Sequence, residues 1–276
     1  MENQFTTFKP KNNLVSKYVD YYYLEVNLEN QSRKYLCFPH LNNAISIYSN
    51  HTPKNIHSPE NIPTHEVTYD EDAGALQIFS PIRHDVFQVI QNGCIHRVVI
   101  IFKPLGIQQF FRDVDPSTIS YSNLFTDSET NILLSTNDPE VLVNALDSFL
   151  LNRFEEYRNP ITEATIEAII QDGEDFKVEQ CANELGISRR HLNRVFKSTL
   201  GLPVKVFHEI VMFRKSINQK LLIDPEISFT ELAHWCNYND QSHMNKVFKK
   251  FTRHSPKNFF SKGNRMGEAD TFWHNK

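Results

Sequence analysis

Two short runs in the C-terminal half of the chain concentrate side chains that can address the edges of bases. Arg189, Arg190, Asn193, Arg194 and Lys197 cluster in and around Leu192-Asn193-Arg194-Val195-Phe196-Lys197. Gln241, Ser242, Asn245, Lys246 and Lys249 cluster in and around Met244-Asn245-Lys246-Val247-Phe248-Lys249. An arginine fork matches O6 and N7 of guanine and a carboxamide matches N6 and N7 of adenine, each good pair discriminating by about 1–3 kcal/mol. Lysine adds attraction to phosphate without sequence preference. The chemistry on offer is recognition of a polyanion with ordered bases, not bond making.

Such side chains work only if a helix holds them on one face. Leu192, Val195 and Phe196 recur at i, i+3 and i+4, which buries one side of a helix and turns the Arg/Asn/Lys side outward. Upstream, Ala182 is small enough for a close helix crossing, Gly186 supplies a left-handed turn conformation, and Ser188 is placed to cap the next helix. That order of parts is a helix-turn-helix. It occurs twice: Met244 follows Leu192 by 52 residues and Ala233 follows Ala182 by 51, so the second turn holds one extra residue. Asn237 stands where the first unit has Gly186, and asparagine tolerates positive φ next best. Matching that extends beyond one run indicates a duplicated unit.

The 276 residues suffice for two domains, and 40% hydrophobic with 22% charged residues is ordinary globular composition. The net charge of −4 conceals a division. From Phe176 to Lys262 there are 15 Lys+Arg and 7 Asp+Glu, which leaves 14 against 26 for the rest. A basic segment joined to an acidic one fits a polyanion-binding module attached to a domain that does not bind polyanions. No apolar run is long enough to cross a bilayer and no leader pattern opens the chain, so a cytoplasmic location is expected. Cys37, Cys94, Cys181 and Cys236 are dispersed without a C-x-x-C pair, which suits a reducing compartment.

Residues 1 to about 135 read mostly as strands, for example Asn43–Tyr48 and Arg97–Phe102, with a short helix after Pro104. A helix is expected from Asp138, as N-cap, to about Arg158, with an apolar stripe that includes Leu142, Leu146, Phe149 and Leu150. Asn159-Pro160 breaks it and marks the domain boundary. Thereafter the chain reads as helices, the first capped by Thr162, up to about Phe260. The expected division is 1–159 for a β-rich regulatory domain ending in a linker helix, 160–262 for the helical domain, and 263–276 for a disordered tail.

With Ala182, Gly186, Ser188, Leu192, Arg194, Phe196, Lys197 and Gly201, then Glu231-Leu232-Ala233, Tyr238, Asp240, Ser242, Phe248-Lys249-Lys250 and Ser255-Pro256, the last third resembles the DNA-binding domain of the AraC/XylS family of bacterial transcription regulators. The resemblance implies seven helices, with a long central helix, here about Phe207 to Ile223, setting two readers one helical turn apart on one DNA face. It implies base contacts from Arg190, Asn193 and Arg194, and from Gln241, Ser242, Asn245 and Lys246. This chain departs from the pattern at Asn237 and Arg253, at Met244 and Lys246, and in a longer Gly201-to-Arg214 stretch. The first 155 residues resemble more faintly the N-terminal domain of a subgroup, through Phe38-Pro39-His40-Leu41-Asn42-Asn43 and Ile101-Phe102-Lys103-Pro104-Leu105-Gly106.

The fold class expected is therefore α+β in two domains: a β-rich, barrel-like regulatory domain with a few helices, then an all-α seven-helix domain carrying both helix-turn-helix units. The function expected is a non-enzymatic, sequence-specific regulator of transcription, an activator controlled through its N-terminal domain. Its expected partners are double-stranded DNA, RNA polymerase, an unidentified small-molecule effector and a second copy of the chain, with no membrane and no cofactor. The alternative is a metal-dependent, cupin-like enzyme fused to a DNA-binding domain. His40, His51, His57, His65, His84 and His96 show no H-x-H with a following glutamate, and no metal site is assigned. Tyr18, Tyr21, Tyr22 and Tyr23 are candidates for lining a pocket, against the plainer reading that they build core.

Overall fold

The computed structural model describes residues 4–57, 62–236, 238, 240–262, 264–265 and 272–275; Asn237 and most of the 263–276 tail lie outside them. Twelve strands run β1 (Gln4–Phe8), β2 (Val19–Asn27), β3 (Ser32–Cys37), β4 (Asn43–Tyr48), β5 (His51–His57), β6 (Pro63–Tyr69), β7 (Leu76–Ser80), β8 (Phe87–Asn92), β9 (Ile95–Phe102), β10 (Ser120–Tyr121), β11 (Asn264–Arg265) and β12 (Phe272–Asn275). The N-terminal part adds helices α1 (Val15–Tyr18), α2 (Asp127–Leu134) and α3 (Pro139–Arg153). The C-terminal part contains α4 (Pro160–Asp172), α5 (Val178–Glu184), α6 (Arg189–Leu200), α7 (Val204–Asn218), α8 (Phe229–Trp235), α9 (Gln241–Thr252) and α10 (Pro256–Lys262). These are the seven helices expected.

The strands form two six-stranded sheets, in the orders β1-β2-β9-β4-β7-β10 and β11-β12-β3-β8-β6-β5. All described pairings are antiparallel except β6 with β8. Strand residues alternate between faces, so a strand covered on both sides must be apolar throughout. Tyr21 and Tyr23 of β2, with Val99 and Ile101 of β9, pack toward Tyr35 and Val89 of the second sheet. Tyr22 and Leu24, with Val98 and Ile100, face Leu142, Leu146 and Leu150 of α3. The tyrosine run therefore splits between two cores, and the α3 stripe packs within its own domain.

A buried carboxylate fastens α3 to this sheet. Asp147 accepts from the Tyr22 hydroxyl at 2.7 Å and from the backbone N–H groups of Lys11 at 2.8 Å and Asn12 at 2.7 Å. Burial, with the anionic acceptor beside it, pushes the Tyr22 hydroxyl far above its ordinary range, so it remains a donor.

Several boundaries differ from the expectations. The helix begun at Asp138 stops at Arg153, not Arg158, because the following backbone is used elsewhere: Gln109 bonds Tyr157 N–H and carbonyl at 3.0 Å each, and Arg112 Nη2 donates to Glu156 O at 2.8 Å. After Pro104 there is only a 3₁₀ turn, Ile107–Gln109. Asn159, not Thr162, caps α4; its side chain accepts from Thr162 N at 3.1 Å while Thr162 is buried. α7 starts at Val204 and gives way to a π-helical turn at Gln219–Ile223 rather than continuing as α-helix. In the tail, β12 pairs with β3 in the register Trp273↔Cys37, His274↔Leu36 and Asn275↔Tyr35, where disorder is expected from polarity alone. The open β3 edge supplies backbone partners that composition does not reveal.

One apolar cluster joins both domains. Leu36, Phe38, Ile82 and Val86 share it with Phe207, Phe213, Phe248 and Phe259. The Phe38 and Phe259 rings meet edge-on at 4.8 Å, and Gln108 Nε2 donates to Thr199 O at 2.8 Å. Gly201 closes α6 at φ +82°, and a Cβ there would lie 2.1 Å from the Pro116 carbonyl oxygen. Gly201→Ala combines a left-handed conformation with a backbone clash, so thermal unfolding of the full chain should show a loss of about 2–5 kcal/mol. A change below about 1 kcal/mol would mean that this contact opens freely.

His65 predicts a pH dependence. It is buried between Tyr121, at 5.5 Å, and Phe87, at 6.5 Å, and its Nε2 has no hydrogen-bond partner. Burial lowers its pKa from 6.5 to about 4, and burial lowers those of His51 and His96 too. The unfolded chain then binds the proton more readily, so stability is full above pH 6.5 and falls as pH drops toward 4. Urea unfolding should show His65 contributing up to about 3 kcal/mol of that loss, with a flatter pH profile in His65→Gln.

Candidate nucleic-acid interface

In the first unit, Ala182 is buried on α5 at the crossing with α6. Gly186 adopts φ +65° in the turn, and Ser188 Oγ accepts from His191 N at 3.2 Å to cap α6. Leu192, Phe196 and Leu200 are fully buried, and Val195 is partly so. Arg189, Arg190, Arg194 and Lys197 are exposed and Asn193 is half-buried, all on the face that the core leaves open. This is the two-faced helix that the spacing requires.

The second unit repeats the construction with different residues. A capping box opens α8, Ser228 Oγ accepting from Glu231 N at 3.2 Å while Glu231 accepts from Ser228 N at 3.0 Å. Asp240 Oδ1 accepts from His243 N at 2.6 Å to cap α9. Met244 and Phe248 are fully buried; Gln241, Ser242, Lys246 and Lys249 are exposed and Asn245 is half-buried. Both α6 and α9 have 12 residues, and α9 begins 52 residues after α6 whereas α8 begins 51 after α5. The extra residue thus sits in the second turn. Asn237 lies outside the described residues. At the C-terminus of α9, Arg253 takes φ +61° where the first unit uses Gly201, and so bears a strain of about 1–2 kcal/mol.

Several reader side chains already have local partners. Arg194 Nη2 lies 3.2 Å from His191 Nδ1, Asn193 Nδ2 donates to Arg189 O at 3.0 Å, and Thr230 Oγ1 donates to Gln241 Oε1 at 3.1 Å. Arg189 makes a loose, exposed ion pair with Glu179 at 3.8 Å. Such surface contacts are worth under about 1 kcal/mol and are readily exchanged for other partners. Lys250 is directed elsewhere, pairing with Glu209 of α7.

α7 sets the relation between the readers. Its Phe207 meets Phe196 of α6 at 5.4 Å, and its Phe213 meets Phe248 and Phe251 of α9 at 5.1 and 5.3 Å. The Ser216 hydroxyl and the Tyr238 hydroxyl, 3.0 Å apart, add a polar tie beyond α8. The sequence reading missed Arg214, which leaves this same helix 5% exposed and lines a cavity with Arg83 and Arg97. The only sequence signal is slight: Arg97 stands directly before the apolar run Val98–Phe102, and Arg214 directly after the apolar run Ile210–Phe213. Of the four tyrosines considered for a pocket, only Tyr21 and Tyr23 line it.

Comparison with known proteins agrees with this geometry. The "Helix-turn-helix domain" family matches residues 181–262, from α5 to the end of α10. The Msm operon regulatory protein of Streptococcus mutans is 26% identical over 146 residues, 51% of each chain, so the chain spans about half the length of that relative. The probable transcription factor PqrA of Proteus vulgaris is 28% identical over 99 residues, 36% of this chain and 79% of that one. Among solved structures, ToxT of Vibrio cholerae superimposes with a TM-score of 0.50 at 13% identity, covering 87% of this chain and 98% of that one, a likeness of fold. Two capped helix-turn-helix units carried by seven helices thus agree with the matched family: residues 181–262 form a helix-turn-helix domain of the AraC type, similar to parts of proteins named as regulators of transcription.

Proposed function

We propose that the protein binds double-stranded DNA sequence-specifically through α6 and α9 and activates transcription by contacting RNA polymerase. The observation that carries this is the pair of 12-residue helices with open polar faces, each locked from behind to α7 by aromatic contacts. Arg190, Asn193 and Arg194 read bases from α6, and Gln241, Ser242, Asn245 and Lys246 read them from α9. Arg189, Lys197 and Lys249 contact phosphate. The N-terminal domain, with its excess of acidic residues, stays off the DNA and serves control, through a small-molecule effector or a second copy of the chain. The protein works beside the chromosome in the cytoplasm and catalyses no reaction. No described helix is long and apolar enough to cross a membrane. The metal-dependent enzyme alternative finds no supporting observation.

Two experiments test this reading. Binding-site selection with Arg194→Ala should relax preference at particular base positions, costing about 1–3 kcal/mol on the best sequence. Lys249→Ala should instead weaken all sequences alike and reduce the salt slope by about one unit. Uniform weakening by Arg194→Ala would place that side chain on the backbone. Footprinting should give an asymmetric site of about 16–20 base pairs for one chain, since both readers lie on it and adjacent major-groove segments are about 34 Å apart. A strictly palindromic footprint that appears only with dimer would refute the monomer arrangement.

A further inference from the structure

Both reading helices carry a histidine at their third position, His191 on α6 and His243 on α9. Their backbones are fixed in the same way: Ser188 Oγ accepts from His191 N at 3.2 Å, and Asp240 Oδ1 from His243 N at 2.6 Å. The rings then diverge. His243 meets the Tyr238 ring edge-on at 5.5 Å, and the Tyr238 hydroxyl lies 3.0 Å from that of Ser216 on α7. His191 instead has its Nδ1 3.2 Å from Nη2 of Arg194, one turn further along α6.

A single position upstream accounts for the difference. Ile187 N donates to the carbonyl of buried Ala182 at 3.0 Å, and Tyr238 N to that of buried Ala233 at 2.8 Å, so isoleucine and tyrosine occupy equivalent places in the two turns. Tyrosine offers an imidazole an aromatic ring to pack on, and isoleucine does not. The side chain to be oriented differs in the same sense. Where α6 carries Arg194, α9 carries Lys246. A guanidinium reads guanine only when its planar fork is aligned, whereas an ammonium is a point charge with no plane to align.

The contact leaves that fork usable. Arginine only donates, so the neutral imidazole accepts at Nδ1 and carries its own proton on Nε2. Nη2 bears two hydrogens, one on each of two double-donor edges of the guanidinium; giving one to His191 leaves the other edge whole. Arg194 is exposed, and a long side chain loses rotamer freedom when it binds. His191, half-buried and fixed at its backbone, removes part of that loss beforehand.

We propose that His191 is a positioning residue for base recognition, holding the Arg194 fork in line for one base beneath α6, a role that His243 does not share on α9. The inference rests on the reading that α6 and α9 bind DNA, and deepens it.

Binding-site selection with the full chain tests it, Arg194→Ala marking the base position that Arg194 reads. His191→Ala should lower preference at that position alone, by about threefold, the factor for freeing one long side chain. His191→Asn should restore it, because a carboxamide oxygen takes the place of Nδ1 as acceptor. His243→Ala should leave that position unchanged. A loss spread evenly over all positions, as a loosened helix would give, overturns the proposal. So does full preference in His191→Ala, no rescue by His191→Asn, or an equal effect of His243→Ala. Nitrogen NMR of the unaltered chain stands even if a variant fails to fold: the neutral His191 ring should be protonated at Nε2, and protonation at Nδ1 excludes the contact and the proposal with it. If Arg194→Ala relaxes one position and His191→Ala does not, the positioning role fails alone. If the unaltered chain selects no sequence, the DNA-binding reading fails and takes the positioning role with it.

Discussion

Phe207 and Phe213 stand on one helix and hold different partners. The first packs on α6, the second on α9, and Phe259 carries the contact from Phe213, at 6.0 Å, to Phe38 of the β-rich domain. A buried phenylalanine contributes about 1.5–3 kcal/mol from area, and a well-placed ring pair about 0.5–1.5 more. Turning one reader independently of the other therefore means opening a close-packed core, which deforms in steps and not continuously. The caps and turns serve this arrangement. Ser188 and Asp240 start each reading helix where the core requires, so the polar faces emerge in a fixed relation.

Polar groups within the molecule fall into two kinds. Asp147 and Arg97 are buried, and each has several partners, so they act as fixed nodes joining α3 to its sheet and Glu25 to the tyrosines. The exposed pairs, such as Arg189 with Glu179, are weak and salt-screened. This separation fits the proposed DNA-binding surface, whose weak pairs can be exchanged while the interior keeps its own partners. It also explains why formal charge and local function diverge: the overall charge is −4, yet the open faces of α6 and α9 are basic.

The helical domain was legible because its signals are local. Ala182, Gly186, Ser188 and the i, i+3, i+4 apolar residues state a helix-turn-helix within about twenty positions, and the 51- and 52-residue offsets state it twice. The strands around Asn43 and Arg97 were legible for the same reason, as short β-branched and aromatic runs. The cavity was not. Arg214 comes from the helical domain, far along the chain from Arg83 and Arg97, and nothing near it indicates them. The end of α3 was misplaced because helical periodicity continues beyond Arg153, whereas Gln109 and Arg112 claim the backbone there. Thr162 looked like a cap because its type suits that role, but Asn159 stands before Pro160 and takes it. Polarity alone gave no sign that the tail would find the β3 edge.

That edge has a bearing on how the chain is made. β3 ends at Cys37 and its partner β12 begins at Phe272, so more than two hundred residues leave the ribosome between them. At about 5–20 residues per second, the β3 backbone waits on the order of ten seconds or more for its neighbour. Meanwhile it offers unpaired N–H and C=O groups to any other nascent chain on the same messenger. Contacts of such long sequence separation also form late in refolding. A peptide inserted directly after β12 would lie beside the β-rich domain's second sheet, not at the far end of the helical domain.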